Sequence, residues 1–210
     1  GYQRPVIFYS NGYETFIWDD HQYNTYRPVY GFYSKDSLDY LIYQRHYRAA
    51  ELEKFNPELS IADRPYQIEA IKTVAAHFQS QRRKALIIQA TGTGKTRTII
   101  GLMYRFLKAE RFHRILFLVD RTALGQQAID AFNEAPLEQN HTLSKIYNVA
   151  ELGDMAAEAE TRIQVATVQA MVKRIFMSDN PPPIDQFDCI IIDEAHRGYT
   201  LDQEMTEGEL

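Results

Sequence analysis

The sequence is poor in cysteine, in long apolar runs and in basic charge. Its one cysteine, Cys189, has no second cysteine to pair with, which excludes an internal disulfide and is typical of a reducing compartment. No apolar run approaches the ~20 residues that cross a bilayer, so we expect a soluble protein without a membrane span. The single cysteine makes the cytoplasm the expected location. The formal net charge of −5 gives no basic footprint. A nucleic-acid partner therefore has to be argued from local sites.

Length and composition set the scale of the fold. With 210 residues, 45% of them hydrophobic, the chain can bury a core and should hold one domain, or one domain and part of another. It starts Gly1-Tyr2-Gln3-Arg4, with neither an initiator methionine nor the pattern of a secretory signal. We therefore expect it to be cut from a longer protein.

A tyrosine-rich segment opens the chain. Residues 4–9 and 13–18 are rich in strand-forming types and flank Ser10-Asn11-Gly12, which predicts a β-hairpin. Apolar residues then recur on one helical stripe, which predicts a helix over residues 37–55. Asn56-Pro57 should end this helix.

The pattern changes after residue 62. A polar connection there separates residues 1–62, the expected tail and linker of a preceding domain, from a lobe formed by residues 63–210. This lobe begins with a helix predicted over residues 65–81, with Asp63 as its cap and Pro65 in its first turn. Short apolar runs follow, which predicts an α/β lobe with a parallel sheet flanked by helices. The runs are residues 85–88, 115–119, 163–166 and 189–192.

A glycine-rich turn connects the run at 85–88 to a helical pattern over residues 98–108. Its motif residues are Thr91, Gly92, Thr93, Gly94, Lys95 and Thr96. Glycines let backbone N–H groups turn toward phosphate oxygens, and the helix adds its positive N-terminal end. Lys95 can then reach the β- and γ-phosphates, and the Thr96 hydroxyl can bind Mg²⁺. The motif departs from the general pattern in one place, since Gln89 stands where its first glycine is expected.

Two adjacent carboxylates follow the last apolar run. Asp193 and Glu194 come directly after a predicted strand, at the sheet edge where ligands bind. There Asp193 can hold Mg²⁺, and Glu194 can orient and deprotonate the attacking water. With Lys95 they form the predicted catalytic set, and ATP or a related nucleotide is the predicted ligand. Taken separately, the glycine-rich turn could be a plain helix entry and the acidic pair a solvated turn.

Residues 63–204 resemble superfamily 2 helicases and translocases, whose second motif is often Asp-Glu-Ala-His, as it is at residues 193–196. The resemblance implies that Gln67, within Arg64-Pro65-Tyr66-Gln67, reads the adenine base through its amide donor and acceptor. It also implies that His196 couples the nucleotide site to the rest of the motor.

Two further turns resemble the motifs with which the superfamily holds a nucleic-acid backbone. One follows the strand at 117–119 and the other lies at 166–169. Hydroxyl, amide and guanidinium donors suit such contacts. The residues assigned to DNA by this resemblance are Arg121, Thr122, Thr167 and Gln169. They could also be loop residues that merely close βα units.

Within the superfamily, four segments together resemble the R subunit of type I restriction enzymes. They are residues 64–71, 90–98, 119–124 and 193–198. This resemblance implies a nuclease domain followed by two RecA-like lobes that pull double-stranded DNA, using ATP and Mg²⁺. It also implies methyltransferase and specificity subunits as partners. Residues 63–210 would be the first RecA-like lobe, and residues 1–62 the end of the nuclease domain or its linker.

The sequence lacks two parts that the resembled family uses. It contains neither a second lobe with arginine fingers nor the nuclease set of Asp followed by Glu-x-Lys. We therefore expect this chain alone neither to cut DNA nor to hydrolyse ATP efficiently. Three alternatives stay open: another superfamily 2 helicase or remodelling ATPase, a nucleotide-dependent interaction module without DNA contact, and a small-molecule P-loop kinase.

Overall fold

The computed structural model describes residues 4–21, 24–46, 52–80, 82–119, 130, 148–151 and 161–197. The chain divides into two compact units. The first unit comprises Gly1–Phe112 with Pro183–Gln186, and the second comprises His113–Pro182 with Phe187–Leu210. The domain boundary expected after residue 62 stays a prediction.

The first unit begins with a three-stranded antiparallel sheet. Strands β1 (Ile7–Ser10) and β2 (Thr15–Trp18) form the predicted hairpin, and β2 pairs also with β3 (Arg27–Val29). The Asn11 side-chain oxygen accepts the N–H groups of Tyr13 and Glu14, which closes the turn. Strand β3 was not predicted from the sequence, because a three-residue strand that contains a proline carries almost no pattern and is tolerated only at a sheet edge.

The two faces of this sheet differ. Ile17 and Val29 are buried on one face. The opposite face carries an aromatic cluster, in which the rings of Tyr9 and Phe16 stack with centroids 5.1 Å apart and Tyr26 meets both edge-on. Alternation along the strands places these side chains on opposite faces.

Helix α1 (Lys35–His46) follows the sheet. Its first turn is closed by Asp185, whose carboxylate accepts the backbone N–H of Ser34 at 2.6 Å and the Ser34 hydroxyl at 2.7 Å. The helix predicted over 37–55 was wrong in its end, because residues 52–54 form a 3₁₀ turn with a bond from Phe55 N–H to Leu52 O. Residues 47–51 lie outside the described part of the chain.

Helices α2 (Pro65–Gln79) and α3 (Lys95–Lys108) complete the first unit and confirm two predicted helices. The predicted cap was wrong: Arg64, not Asp63, precedes the first turn, and its N–H donates to the Gln67 side-chain oxygen at 3.4 Å. Gln67, inside the helix, takes the capping role because its side-chain oxygen reaches back to the Arg64 N–H.

The two helices approach closely at Gly101. A Cβ built there would lie 2.9 Å from Ile71 Cδ1 and 3.5 Å from Ala62 Cβ, so only glycine permits this spacing. One turn further along α3, Arg105 is buried, and its guanidinium donates to the carbonyls of Leu52 and Ile71. This cation ties three segments of the unit together.

One predicted strand is not formed. Residues 82–90 have no regular secondary structure, although 85–88 is an apolar run of the type found in buried strands. Leu86 is 78% exposed and Ile88 is 86% exposed. A strand requires a neighbouring strand to satisfy its backbone, and none pairs with this run in the described part of the chain.

The second unit contains a parallel sheet. Its strands are β4 (Ile115–Val119), β5 (Asn148–Glu151), β6 (Thr161–Thr167) and β7 (Cys189–Ile192), in the order β5-β6-β4-β7. Three predicted strands are thereby confirmed, and the α/β class with them. Helix α4 (Val168–Phe176) follows β6. A core of Leu116, Ala166 and Met171, with Leu118 and Phe187 packed against it, lies between sheet and helix.

Asp188 organises the edge of the sheet where the strands begin. Its carboxylate accepts the N–H groups of His113 at 2.6 Å and Arg114 at 2.9 Å. The N–H groups of Asp188 and Cys189 donate in turn to Arg114 O. These bonds join the starts of β4 and β7, at the edge opposite to the one where ligands bind in such sheets.

His113 should make stability pH-dependent. Its pKa is lowered to about 4 because burial disfavours the imidazolium and because Arg162 and Arg114 lie near it. Between about pH 6.5 and 4, His113 is therefore protonated in the unfolded chain and neutral in the folded chain. Because the unfolded chain binds the extra proton, the free energy of unfolding should fall with falling pH. Urea denaturation at about pH 5 and about pH 7 should show a smaller fall in His113→Gln than in wild type. An equal fall would contradict this reading.

Among the described helices, none is both long and apolar enough to cross a membrane.

Candidate nucleotide and nucleic-acid site

The glycine-rich turn contains two glycines with left-handed backbone, which suits a phosphate-binding loop. Gly92 and Gly94 have φ angles of 79° and 81°, in the left-handed region that favours glycine. Thr93 closes the turn between them, since its N–H and its hydroxyl both donate to Ala90 O. Helix α3 starts directly after Gly94, and no side chain caps it in the described structure. The first amides of a helix lie at its positive end, where anions bind.

Lys95 and Thr96 occupy the first turn of α3 and are half-buried, while Thr91 is exposed at the start of the loop. A lysine here adds a cation to the positive end of the helix. The hydroxyl of Thr96 is the kind of hard oxygen that Mg²⁺ prefers. The loop therefore fits a polyphosphate with its metal ion.

Gln89 has a role that the sequence did not reveal. Its Nε2 donates to Thr98 Oγ1 at 3.1 Å, and the Thr98 hydroxyl lies 3.4 Å from Gly94 O. The residue that replaces the expected glycine thus joins the entry of the loop to the first turns of α3. A polar side chain nine residues before a buried threonine was the only signal.

Gln67 lies against the phosphate loop. Its side chain is buried, and Nε2 donates to Thr93 O at 3.0 Å and to Gly94 O at 3.2 Å. Tyr66 donates from its hydroxyl to the same Thr93 carbonyl at 2.8 Å. The structure therefore brings two residues of the Arg-Pro-Tyr-Gln segment to the loop, and the base-reading role of Gln67 stays a prediction.

The two loop glycines should differ in their tolerance of alanine. Either substitution places a Cβ in the left-handed region at a cost of about 1–2 kcal/mol. At Gly92 nothing described lies within 4 Å of the added atom, whereas at Gly94 it would lie 2.6 Å from Gln67 Nε2. Chemical denaturation should therefore show Gly94→Ala to be the less stable variant. Equal stabilities would contradict the close approach.

A second cluster forms where β7 ends. The N–H of Asp193 continues the ladder by donating to Leu118 O, and Asp193 Oδ1 accepts the Glu194 N–H at 2.9 Å. Glu194 has a φ of 51°, unusual for a residue with a side chain. His196 Nδ1 lies 3.2 Å from Glu194 Oε2. Three predicted residues therefore lie together at the C-terminal edge of the sheet.

The backbone conformation of Glu194 carries strain, as does that of Glu110 with its φ of 50°. A left-handed non-glycine residue costs about 1–3 kcal/mol, and such residues concentrate at active sites. The two adjacent carboxylates have different partners: that of Asp193 accepts the Glu194 N–H, and that of Glu194 lies 3.2 Å from His196 Nδ1. Separate orientations suit two tasks, a metal ligand and a base.

The two halves of the predicted site belong to different units. The phosphate loop lies in the first and the acidic cluster in the second. Among the described residues, no group of three or more His, Cys, Asp or Glu could hold a metal ion. A nucleotide-bound Mg²⁺ takes most of its ligands from phosphate and water and needs few from the protein. Thr96 and Asp193 offer suitable oxygens, and their joint action stays a prediction.

The predicted DNA-contacting residues are only partly described. Arg121 and Thr122 lie outside the described part of the chain. Thr167 is the last residue of β6 and the cap of α4, where its Oγ1 accepts the Ala170 N–H at 3.2 Å. That hydroxyl keeps a proton to donate. Gln169 lies in the first turn of α4.

Residues 60–206 match the family described as "Type III restriction enzyme, res subunit", which covers well over half of the chain. The chain belongs to this family.

Individual relatives specify the likeness further. The chain is 47% identical over 156 residues to the type I restriction enzyme EcoKI endonuclease subunit of Escherichia coli strain K12, which covers 74% of the chain and 13% of that protein. It is 33% identical over 142 residues to the EcoAI endonuclease subunit of Escherichia coli, covering 64% of the chain and 16% of that protein. A Staphylococcus saprophyticus endonuclease subunit, SsaAORF53P, is 29% identical over 65% of the chain and 15% of its own length.

These relatives confirm the resemblance to the R subunit of type I restriction enzymes, which the motifs predicted. The chain spans only about one-seventh of the length of the curated relatives that it matches. The activity of such a longer protein is therefore a matter for proposal.

Proposed function

We propose that residues 63–210 are the first RecA-like, ATP-binding lobe of the R subunit of a type I restriction enzyme. In this role the lobe couples ATP hydrolysis to the movement of duplex DNA before cleavage. The observation that carries the proposal is the loop backbone, with left-handed Gly92 and Gly94 opening directly into an uncapped helix. The 47% identity to an endonuclease subunit supports the assignment to this enzyme type.

The residues divide the chemistry of phosphoryl transfer among them. Bound Mg²⁺ would neutralise charge on the β- and γ-phosphates, with Thr96 and Asp193 as its protein ligands. Lys95 contacts the same phosphates. Glu194 orients the attacking water and accepts its proton, and His196 holds the Glu194 carboxylate in place through the 3.2 Å contact.

The remaining assignments follow from the same relationship. Arg121, Thr122, Thr167 and Gln169 hold the DNA backbone. Residues 1–62 are the end of a nuclease domain or its linker, and the cutting residues lie in that domain. Methyltransferase and specificity subunits complete the assembly, which acts in the cytoplasm.

Duplex translocation can be measured on the protein at its full natural length, assembled with its partner subunits. We expect ATP hydrolysis to rise on addition of duplex DNA, and a triplex-forming oligonucleotide downstream of the recognition site to be displaced without separation of the duplex strands. Strand separation would favour another superfamily 2 helicase. Nucleotide binding with neither DNA-stimulated hydrolysis nor displacement would contradict the proposal.

A further inference from the structure

Two side chains of α2 hold the carbonyl side of the phosphate loop. Thr93 O accepts from Tyr66 Oη at 2.8 Å and from Gln67 Nε2 at 3.0 Å. Gly94 O accepts from the same Gln67 nitrogen at 3.2 Å. Three hydrogen bonds thus fix two consecutive peptide groups at the turn into α3.

The Tyr66 hydroxyl must donate to Thr93 O, because a carbonyl oxygen only accepts, and Arg64 in turn donates to the hydroxyl oxygen. Arg64 Nη1 lies 2.7 Å from Tyr66 Oη. A guanidinium only donates, so the Tyr66 oxygen accepts from Arg64 while its own proton goes to the Thr93 carbonyl. The hydroxyl is therefore a dedicated donor to the loop.

Fixing these carbonyls also fixes the N–H groups that phosphate would meet. In a planar trans peptide the C=O and the following N–H point in opposite directions. Holding Thr93 O toward α2 directs the Gly94 N–H away from α2. Gly94 O also accepts the Thr98 N–H at 3.1 Å, so α2 and α3 together hold it and orient the Lys95 N–H. Amides of this turn are the groups that bind phosphate in such loops.

The Gln67 amide is engaged at both ends. Its nitrogen donates to the loop, its oxygen accepts the Arg64 N–H at 3.4 Å, and the residue is 1% exposed. A Cβ on Gly94 would lie 2.6 Å from this nitrogen. Loop and amide are thus fitted to each other, a geometry that suits positioning of the loop.

We propose that Tyr66 and Gln67 are positioning residues of the phosphate loop, which hold the Thr93 and Gly94 carbonyls so that the Gly94 and Lys95 amides face the bound phosphates. The inference rests on the proposed nucleotide site.

The test compares a ligand that has a base with one that has none. Calorimetry with MgATP and with magnesium tripolyphosphate would be applied to wild type, Tyr66→Phe, Gln67→Met and the control Tyr30→Phe, whose ring is fully exposed. Loss of one hydrogen bond should weaken both ligands by about threefold to tenfold in Tyr66→Phe. Tyr30→Phe should change neither affinity.

The outcomes separate this inference from the proposed function. Equal weakening of the two ligands by Tyr66→Phe supports it, since only a loop effect is independent of the base. Unchanged affinities, or weakening of MgATP alone, would overturn it even where Lys95→Ala abolishes binding and the nucleotide site is intact. Should wild type bind neither ligand, the proposed function fails and this inference with it. Tyr66→Phe keeps the test decisive if Gln67→Met does not fold.

Discussion

Glu194→Gln should bind MgATP as wild type does but hydrolyse it about 10²–10⁴-fold more slowly. The amide keeps the size of the side chain and can still bond to His196, but it cannot accept a proton from water. Hydrolysis is best measured as a single turnover in the full-length assembly with duplex DNA, which isolates the chemical step from product release.

Asp20→Asn is a suitable control for this experiment, because within the described residues Asp20 pairs with the exposed Arg4 in the N-terminal sheet region. It should leave hydrolysis unchanged. Wild-type turnover in Glu194→Gln would remove Glu194 from the catalytic set. Loss of MgATP binding in that variant would instead make it a ligand-binding residue.

Arg105→Ala should lower the free energy of unfolding by about 2–5 kcal/mol. The buried guanidinium donates to Leu52 O at 2.6 Å and 3.0 Å and to Ile71 O at 3.4 Å. Its removal leaves two carbonyls without these donors and opens space beside α3. Urea denaturation of the chain measures the change.

Arg97→Ala provides the matched control on the same helix. Its side chain is 59% exposed and lies 4.0 Å from Asp63, so we expect a change within about 0.5 kcal/mol. A loss in Arg105→Ala as small as that in Arg97→Ala would mean that the hydrogen bonds of the buried guanidinium do not stabilise the first unit.

The sequence predicted two strands from their composition alone. Ile115–Val119 and Cys189–Ile192 are continuous apolar runs, and the structure pairs them in one parallel sheet. The run at 85–88 has the same composition but no pairing partner in the described residues, because composition reports what a segment can bury and not what lies beside it. The 3₁₀ turn at residues 52–54 was not predicted for a related reason, since the apolar spacing of a helix continues past His46.

The candidate site was predictable where it depends on local motifs. Gly92 and Gly94 adopt the backbone that their spacing implied, and Asp193 ends a strand as expected. The sequence could not show that Gln89 bonds to Thr98, or that Tyr66 donates to Thr93. Both contacts join segments that the pattern treats as separate, so only the fold reveals them.

The central claim is that the loop from Thr91 to Thr96 binds a nucleoside triphosphate through Lys95. Its most direct test is calorimetric titration of the chain with MgATP, for wild type and for Lys95→Ala. We predict saturable binding by wild type and a loss of at least about tenfold in affinity for a Lys95→Ala variant that keeps its fold. Absence of binding by a folded wild-type chain, or equal affinity in the two proteins, would contradict the account.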